Sequence, residues 1–167
     1  MPKIRSLTLM VALAAASTLH AGDYDALIGA IKKAWPGRTN LGVVCDTNES
    51  RAALGALTAA ATGMHILVVD VKGPMDVGRA VNTLSQHHPS VVILLAGDHV
   101  AGDGSAAAGF LIQRMASEKI PTAATTQAGV RQGAVLGIGP GTGGKLLANA
   151  RVAAVAGVSV PPDATKI

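Results

Sequence analysis

Aromatic residues are nearly absent from this chain. Its 167 positions hold only Tyr24, Trp35 and Phe110, or 2%. Sites that grip bases or sugars stack them on several aromatic faces, so a stacking platform is excluded. Cysteine is as scarce: Cys45 stands alone, and an internal disulfide is impossible. Its place inside an apolar run reads as a small buried side chain rather than a nucleophile. Charged residues make up only 14%, and the net charge is +4. Lys3 and Arg5 lie in an N-terminal leader and the remaining basic residues form no stripe, so no nucleic-acid partner is expected. The sequence has no G-x-S-x-G elbow, no C-x-x-C pair, and no metal-ligand spacing among its five histidines.

What the chain does have is alanine, glycine and valine, within a hydrophobic fraction of 49%. That fraction excludes disorder, and the length suits one domain with its own core. Residues 1–21 combine a basic start (Lys3, Arg5), an apolar centre (Leu7 to Ala16) and small residues ending at Ala21. This is the layout of a secretory signal peptide, with cleavage expected after Ala21 or near Ala14-Ala15-Ala16. The apolar run is short for a membrane span. A periplasmic or secreted protein, not inserted in a membrane after cleavage, is the expectation.

The pivot of the remaining chain is Ser90 to Asp103, SVVILLAGDHVAGD. Val91 to Ala96 is an unbroken apolar run that stops at Gly97-Asp98-His99. Its length and β-branched content predict a strand buried on both faces, as in parallel sheets covered by helices. Further strands are predicted at Leu41–Cys45, His65–Val71, Thr122–Thr126 and Val135–Ile138. Helices are predicted over Asp23–Trp35, from Ser50 to about Thr62, over Pro74–His88, over Gly104–Lys119 and over Lys145–Ala156. Alternating strands and helices imply right-handed crossovers. The fold expected is α/β: a three-layer α/β/α, doubly wound, parallel five-stranded sheet in the order 2-1-3-4-5. Its switch point falls between the Leu41 and Val91 strands. Residues 22–157 form this single lobe, and 158–167, with Pro161-Pro162, are expected to be an irregular tail.

Ligands of such sheets bind beyond the carboxyl ends of the strands at the switch point. That places Asp46, Thr47, Asn48, Glu49 and Ser50 beside Asp98, His99 and Asp103, with Thr125, Thr126 and Gln127 on the same rim. The set suits hydrogen bonding to a small polar solute, with the helix start at Asn48 to Ser50 offering free N–H groups. Asn48, Ser50 and Asp103 are equally ordinary helix caps, and both readings stay open. Asp98, directly after a buried strand, is the stronger candidate. Gly139 to Lys145 fits G-x-x-x-x-G-K, a phosphate-cradling pattern. Leu146 stands where that loop needs Ser or Thr for Mg²⁺, and the segment follows the last strand rather than the first. A glycine-rich crossover is therefore the favoured reading.

Several segments together resemble a known family. These are Ala34-Trp35-Pro36 before LGVV, the polar loop Asp46 to Ser50, Asp76-Val77 at a helix start, and VVILLAGD with Asp98. Ala116-Ser117-Glu118-Lys119-Ile120-Pro121, Gly129 to Ala134, Gly139-Pro140, Gly157-Val158 and Pro161-Pro162 continue the pattern. From about Ile31 to Pro140 the chain resembles one lobe of the periplasmic substrate-binding proteins of ABC importers. The group is the tryptophan- and tyrosine-binding type, with the type I periplasmic-binding fold. The resemblance implies that Thr47, Asn48, Glu49, Ser50, Asp98, His99, Thr126 and Gln127 face a small organic solute, for instance an amino acid. It implies no catalytic residue, no metal and no cofactor. It also implies an ABC permease as partner, with a second lobe-like subunit or a second copy closing the site. His99 departs from the family, where a small polar residue is usual. Two other classes remain: a nucleotide- or phosphate-binding enzyme using Gly139–Lys145, and an exported protein–protein interaction module.

Overall fold

The computed structural model describes residues 21–138 and 144–167. The leader proposed for residues 1–21 lies outside the described residues, apart from Ala21. So do residues 139–143 of the glycine-rich loop.

The apolar runs form strands where expected, β1 one residue longer and the other four slightly shorter. They are β1 Asn40–Cys45, β2 His65–Asp70, β3 Val91–Leu94, β4 Thr122–Ala124 and β5 Leu136–Gly137. All four pairings among them are parallel, in the order β2-β1-β3-β4-β5. Two further strands extend the sheet to seven: β6 Leu147–Ala148, antiparallel to β5, and β7 Thr165–Lys166, parallel to β6. The expected count of five is thus corrected to seven. The helix expected from Lys145 gives way to β6, with α6 only from Ala150 to Ala156. The tail expected to be irregular carries β7. Two-residue strands have no periodicity to read, which is why they escape sequence patterning.

The strands alternate their side chains between two cores. Leu41, Val43, Cys45, Val91, Ile93 and Leu95 point into one, with α1 Ala21–Ala34 and α2 Arg51–Ala60 supplying Leu27, Ile31 and Leu57. Val44, Val92 and Leu94 point into the other, with α3 Val77–His87 and α4 Ala106–Ser117 supplying Val81, Leu84, Leu111 and Met115. Helices therefore cover both faces, as doubly apolar strands require. The fold is α/β. The helix α2 that follows β1 and the helix α4 that follows β3 lie on opposite faces. The sheet is close-packed at Gly42, where a Cβ would sit 2.8 Å from Leu84 Cδ2. A short helix, α5 Gln127–Gln132, was not expected; it lies between β4 and β5.

Candidate functional site

Three adjacent parallel strands, β1, β3 and β4, deliver their following loops to one rim. Asn48, Asp98 and Thr126 all lie beyond carboxyl ends and therefore share that rim.

Asp98 is the knot of this rim. Its Oδ2 accepts from the Asp46 N–H at 2.8 Å and the Ser50 hydroxyl at 2.6 Å. Its Oδ1 accepts from Val100 and Ala101 N–H groups at 3.0 and 2.8 Å. Four donors leave this buried carboxylate committed to joining the β1–α2 loop to the β3–α4 loop. It shapes the site rather than facing a solute. Ser50 caps α2 by position, but its hydroxyl goes to Asp98 and makes no cap hydrogen bond. The first turn of α2 contains no acidic residue. Its N–H groups are left without a side-chain acceptor, an arrangement that favours an anionic or carbonyl oxygen.

The other expected residues divide. Thr47 donates from both its N–H and its hydroxyl to Asp70 Oδ1, at 3.0 and 2.9 Å. These bonds and the Lys72 ammonium hold the Asp70 carboxyl down at about 2. Asn48 is exposed, with its N–H on Asp46 Oδ1. Glu49 and His99 are paired, Oε2 to Nδ1 at 2.8 Å, both half-exposed or more. Thr126 caps α5, its hydroxyl accepting from the Gly129 N–H, and Gln127 is exposed in the first turn. Asp103 does not cap α4; Ser105 does. Asp103 instead accepts from the Thr125 N–H at 3.0 Å, and its Oδ1 is buried without a partner among the described residues. Burial pushes this carboxyl up to about 6, against the pull of hydrogen bonds from Thr126 and Thr125.

Between α1, α2 and the end of β3 lies a cavity of about 250 Å³. Tyr24, Glu49, Ser50, Ala53, Ala56 and Gly97 are among its walls. The alanines of α2 are what leave it open, and Gly97, at φ +78°, turns the chain at its edge. Tyr24 is fully buried, and among the described residues its hydroxyl lies near Thr125 but makes no hydrogen bond of good geometry. Burial, followed by the nearby Asp103 charge, raises the phenol well above its ordinary value, so it stays a neutral donor. Buried hydroxyls are rarely left unpaired, and those that are invite a ligand or water. Sequence reasoning missed Tyr24, because a lone aromatic in a helix gives no functional signal until tertiary structure brings it under the rim. A second cavity of about 240 Å³ beside His65, His87 and Pro89 opens at the amino ends of β1 and β2, away from this rim.

The same arrangement of elements occurs in solved structures. One is an ABC domain from Streptococcus pneumonia in complex with L-Trp, with TM-score 0.71 and 16% identity over 86% of this chain and 60% of that one. Another is a conserved domain protein from Vibrio cholerae, with TM-score 0.73 and 17% identity over 86% of this chain and 59% of that one. An aminotransferase from Bacillus subtilis, for ureidoglycine and glyoxylate, follows at TM-score 0.52 and 13% identity, covering 40% of its length. The chain thus spans about 60% of the first two. No family model and no curated protein matches it. These likenesses define a class of fold, one shared with a domain that holds L-Trp, and at this identity they speak for the fold alone.

Proposed function

We propose that this protein is an exported solute-binding module, a one-lobe relative of the substrate-binding proteins of ABC importers, and that it works by binding without a chemical step. The observation that carries this reading is the cavity at the carboxyl ends of β1 and β3, walled by Tyr24, Glu49, Ser50 and the alanines of α2. For such a solute the uncapped first turn of α2 offers N–H groups to a carboxylate and Glu49 offers an acceptor, with Asn48 and Gln127 exposed on the same rim. Its size admits a small organic molecule such as an amino acid; drug-sized pockets begin near 300 Å³. L-Trp in the similar Streptococcus domain supports that class of ligand. One lobe encloses a solute from one side only. A second surface, from a second lobe-like subunit, another copy or a permease, closes the other. The basic and apolar leader supports export, and N-terminal sequencing of the secreted form tests it: an N-terminus near residue 22 is expected, and an unprocessed chain overturns it.

The binding test is a thermal-shift screen against amino acids and related small solutes, since a ligand at a hundred times its Kd stabilises by about 2.7 kcal/mol. Tyr24→Phe is the discriminating variant. The ring keeps its place in the core, while a solute that bonds to the hydroxyl loses roughly fivefold to tenfold in affinity. A screen in which no solute raises the Tm sinks the proposal.

A further inference from the structure

Three donors on this rim converge although the sequence scatters them. Asp46 follows β1 directly, Glu49 lies three residues later, and His99 arrives from the loop after β3. One ligand atom from each lies within 4.8 Å of the other two. His99 Nδ1 and Glu49 Oε2 are 2.8 Å apart. Two donors that share a tetrahedral ion at about 2.1 Å stand roughly 3.4 Å apart, so the hydrogen-bonded pair has to open by only about half an ångström, giving up its proton, to admit one.

Asp46 is the anchor. It is 6% exposed, and its Oδ1 accepts from the Asn48 N–H at 2.9 Å and the Lys72 ammonium at 2.7 Å. Outer donors that fix a carboxylate in this way are what orient metal ligands. The local charge asks for a cation as well. Lys72 bridges Asp46 and Asp70, 3.0 Å from the latter, and Glu49 stands beside them. Three carboxylates thus face one ammonium, an excess of two negative charges that a single divalent ion neutralises.

We propose that Asp46, Glu49 and His99 form a binding site for one divalent transition-metal ion of the zinc type. One imidazole nitrogen and two carboxylate oxygens hold it, with the remaining positions open to water or to a solute. The imidazole selects zinc- or cobalt-like ions over Mg²⁺ and Ca²⁺, which prefer all-oxygen shells. The site adjoins the cavity through Glu49, which belongs to both, while Asp46 and His99 lie outside the cavity wall, so His99→Ala separates its failure from that of the solute reading.

Calorimetric titration of the untagged chain with Zn²⁺, and absorption spectroscopy with Co²⁺, test it. One saturable equivalent of Zn²⁺ is expected, with visible Co²⁺ bands from nitrogen and oxygen ligation. His99→Ala and Glu49→Gln should each weaken binding roughly tenfold to a hundredfold, in the range found when support for a metal is removed. Both side chains are substantially exposed, so the variants should keep the Tm of the metal-free parent. His87→Ala, on the far rim, should bind as the parent does. The site is overturned by an absence of saturable binding, by equal heat from Mg²⁺, or by Zn²⁺ binding that survives His99→Ala and disappears in His87→Ala.

Discussion

At the scale of single residues, two aspartates close together in sequence have opposite characters. Asp98 is buried and satisfied by four donors, three of them backbone N–H groups. Asp98→Ala strands those donors in a place that water does not reach. Bonds to a charged acceptor contribute about 1.5–3 kcal/mol each but do not add, so a loss of about 3 kcal/mol is expected. For a domain of this size that is a Tm fall of roughly 6–12 °C, readable by calorimetry. A variant as stable as the parent would contradict the role of Asp98 as the knot. Asp103 is buried and half satisfied: its Oδ1 has no partner among the described residues, and burial lifts its carboxyl from the ordinary 3.8 to about 6. Between these two values the folded chain holds a proton that the unfolded chain has released. Stability from this residue is therefore fully present below pH 3.8 and is lost as the pH rises through 6. The amount is on the order of 2–3 kcal/mol. Asp103→Asn, which cannot ionise, should remove that part of the pH dependence. Urea unfolding at about pH 4 and pH 7 would show the gap between the two stabilities narrowing by this amount. An unchanged gap would mean that Asp103 ionises in the fold as readily as it does in water.

At the scale of elements, the helix α2 makes the site, because its alanines keep a 250 Å³ cavity open against Tyr24. Ala53→Leu places an isobutyl group in that space. The free protein should keep its Tm within a few degrees, since a void is filled rather than a packed core strained. Any solute-dependent Tm rise should disappear. A solute response that persists would move the binding site elsewhere on the rim. The elements themselves were unequally legible. The strands β1, β2 and β3 announce themselves as apolar β-branched runs too long for a turn and too short for a helix; alternation with helices makes the sheet parallel, while the order 2-1-3-4-5 is chosen as one of the common doubly wound orders. The helix α5 was hidden because a six-residue helix between Thr126 and Gly133 looks like a glycine-bearing loop. The strand β6 was hidden inside a helical alanine pattern, and the antiparallel pairing with β5 that forms it is a tertiary event. At the rim, sequence could say which loops meet, since strand ends fix that. It could not say that Asp98 turns inward, that Thr47 is held by Asp70, or that His99 reaches Glu49. Those outcomes depend on side-chain direction after the strands end, where the alternation of faces no longer applies.

At the scale of the whole molecule, the first helix and the last ten residues are tied together across more than a hundred positions of sequence. Trp35, the single tryptophan, is 4% exposed and donates its indole N–H to the Ser159 carbonyl at 2.9 Å. Lys33 pairs with Asp163 at 3.1 Å, on the surface, where such a pair adds little. Val158 and Val160 pack against the core that contains Leu27, Ile31 and Trp35, and Ala164 belongs to it. Thr165–Lys166 then completes the sheet edge on β6. The tail is thus a lid on the α1 face of the core and the outermost strand at once, and its contribution is mainly apolar burial. Deleting residues 158–167 should uncover Trp35 and part of that core while leaving β1 to β4, and with them the rim, in place. A loss on the order of 2–4 kcal/mol is expected, the amount that accompanies removal of a few buried aliphatic groups. Trp35 reports the change directly: its fluorescence emission should move to longer wavelength and become accessible to iodide quenching, while the far-ultraviolet circular dichroism changes little. Because the cavity walls come from α1, α2 and the end of β3 and not from the tail, solute-dependent stabilisation should survive the deletion. An emission spectrum identical to the parent's would show that α1 closes over Trp35 unaided, and the tail would then be an appendage rather than a layer of the fold.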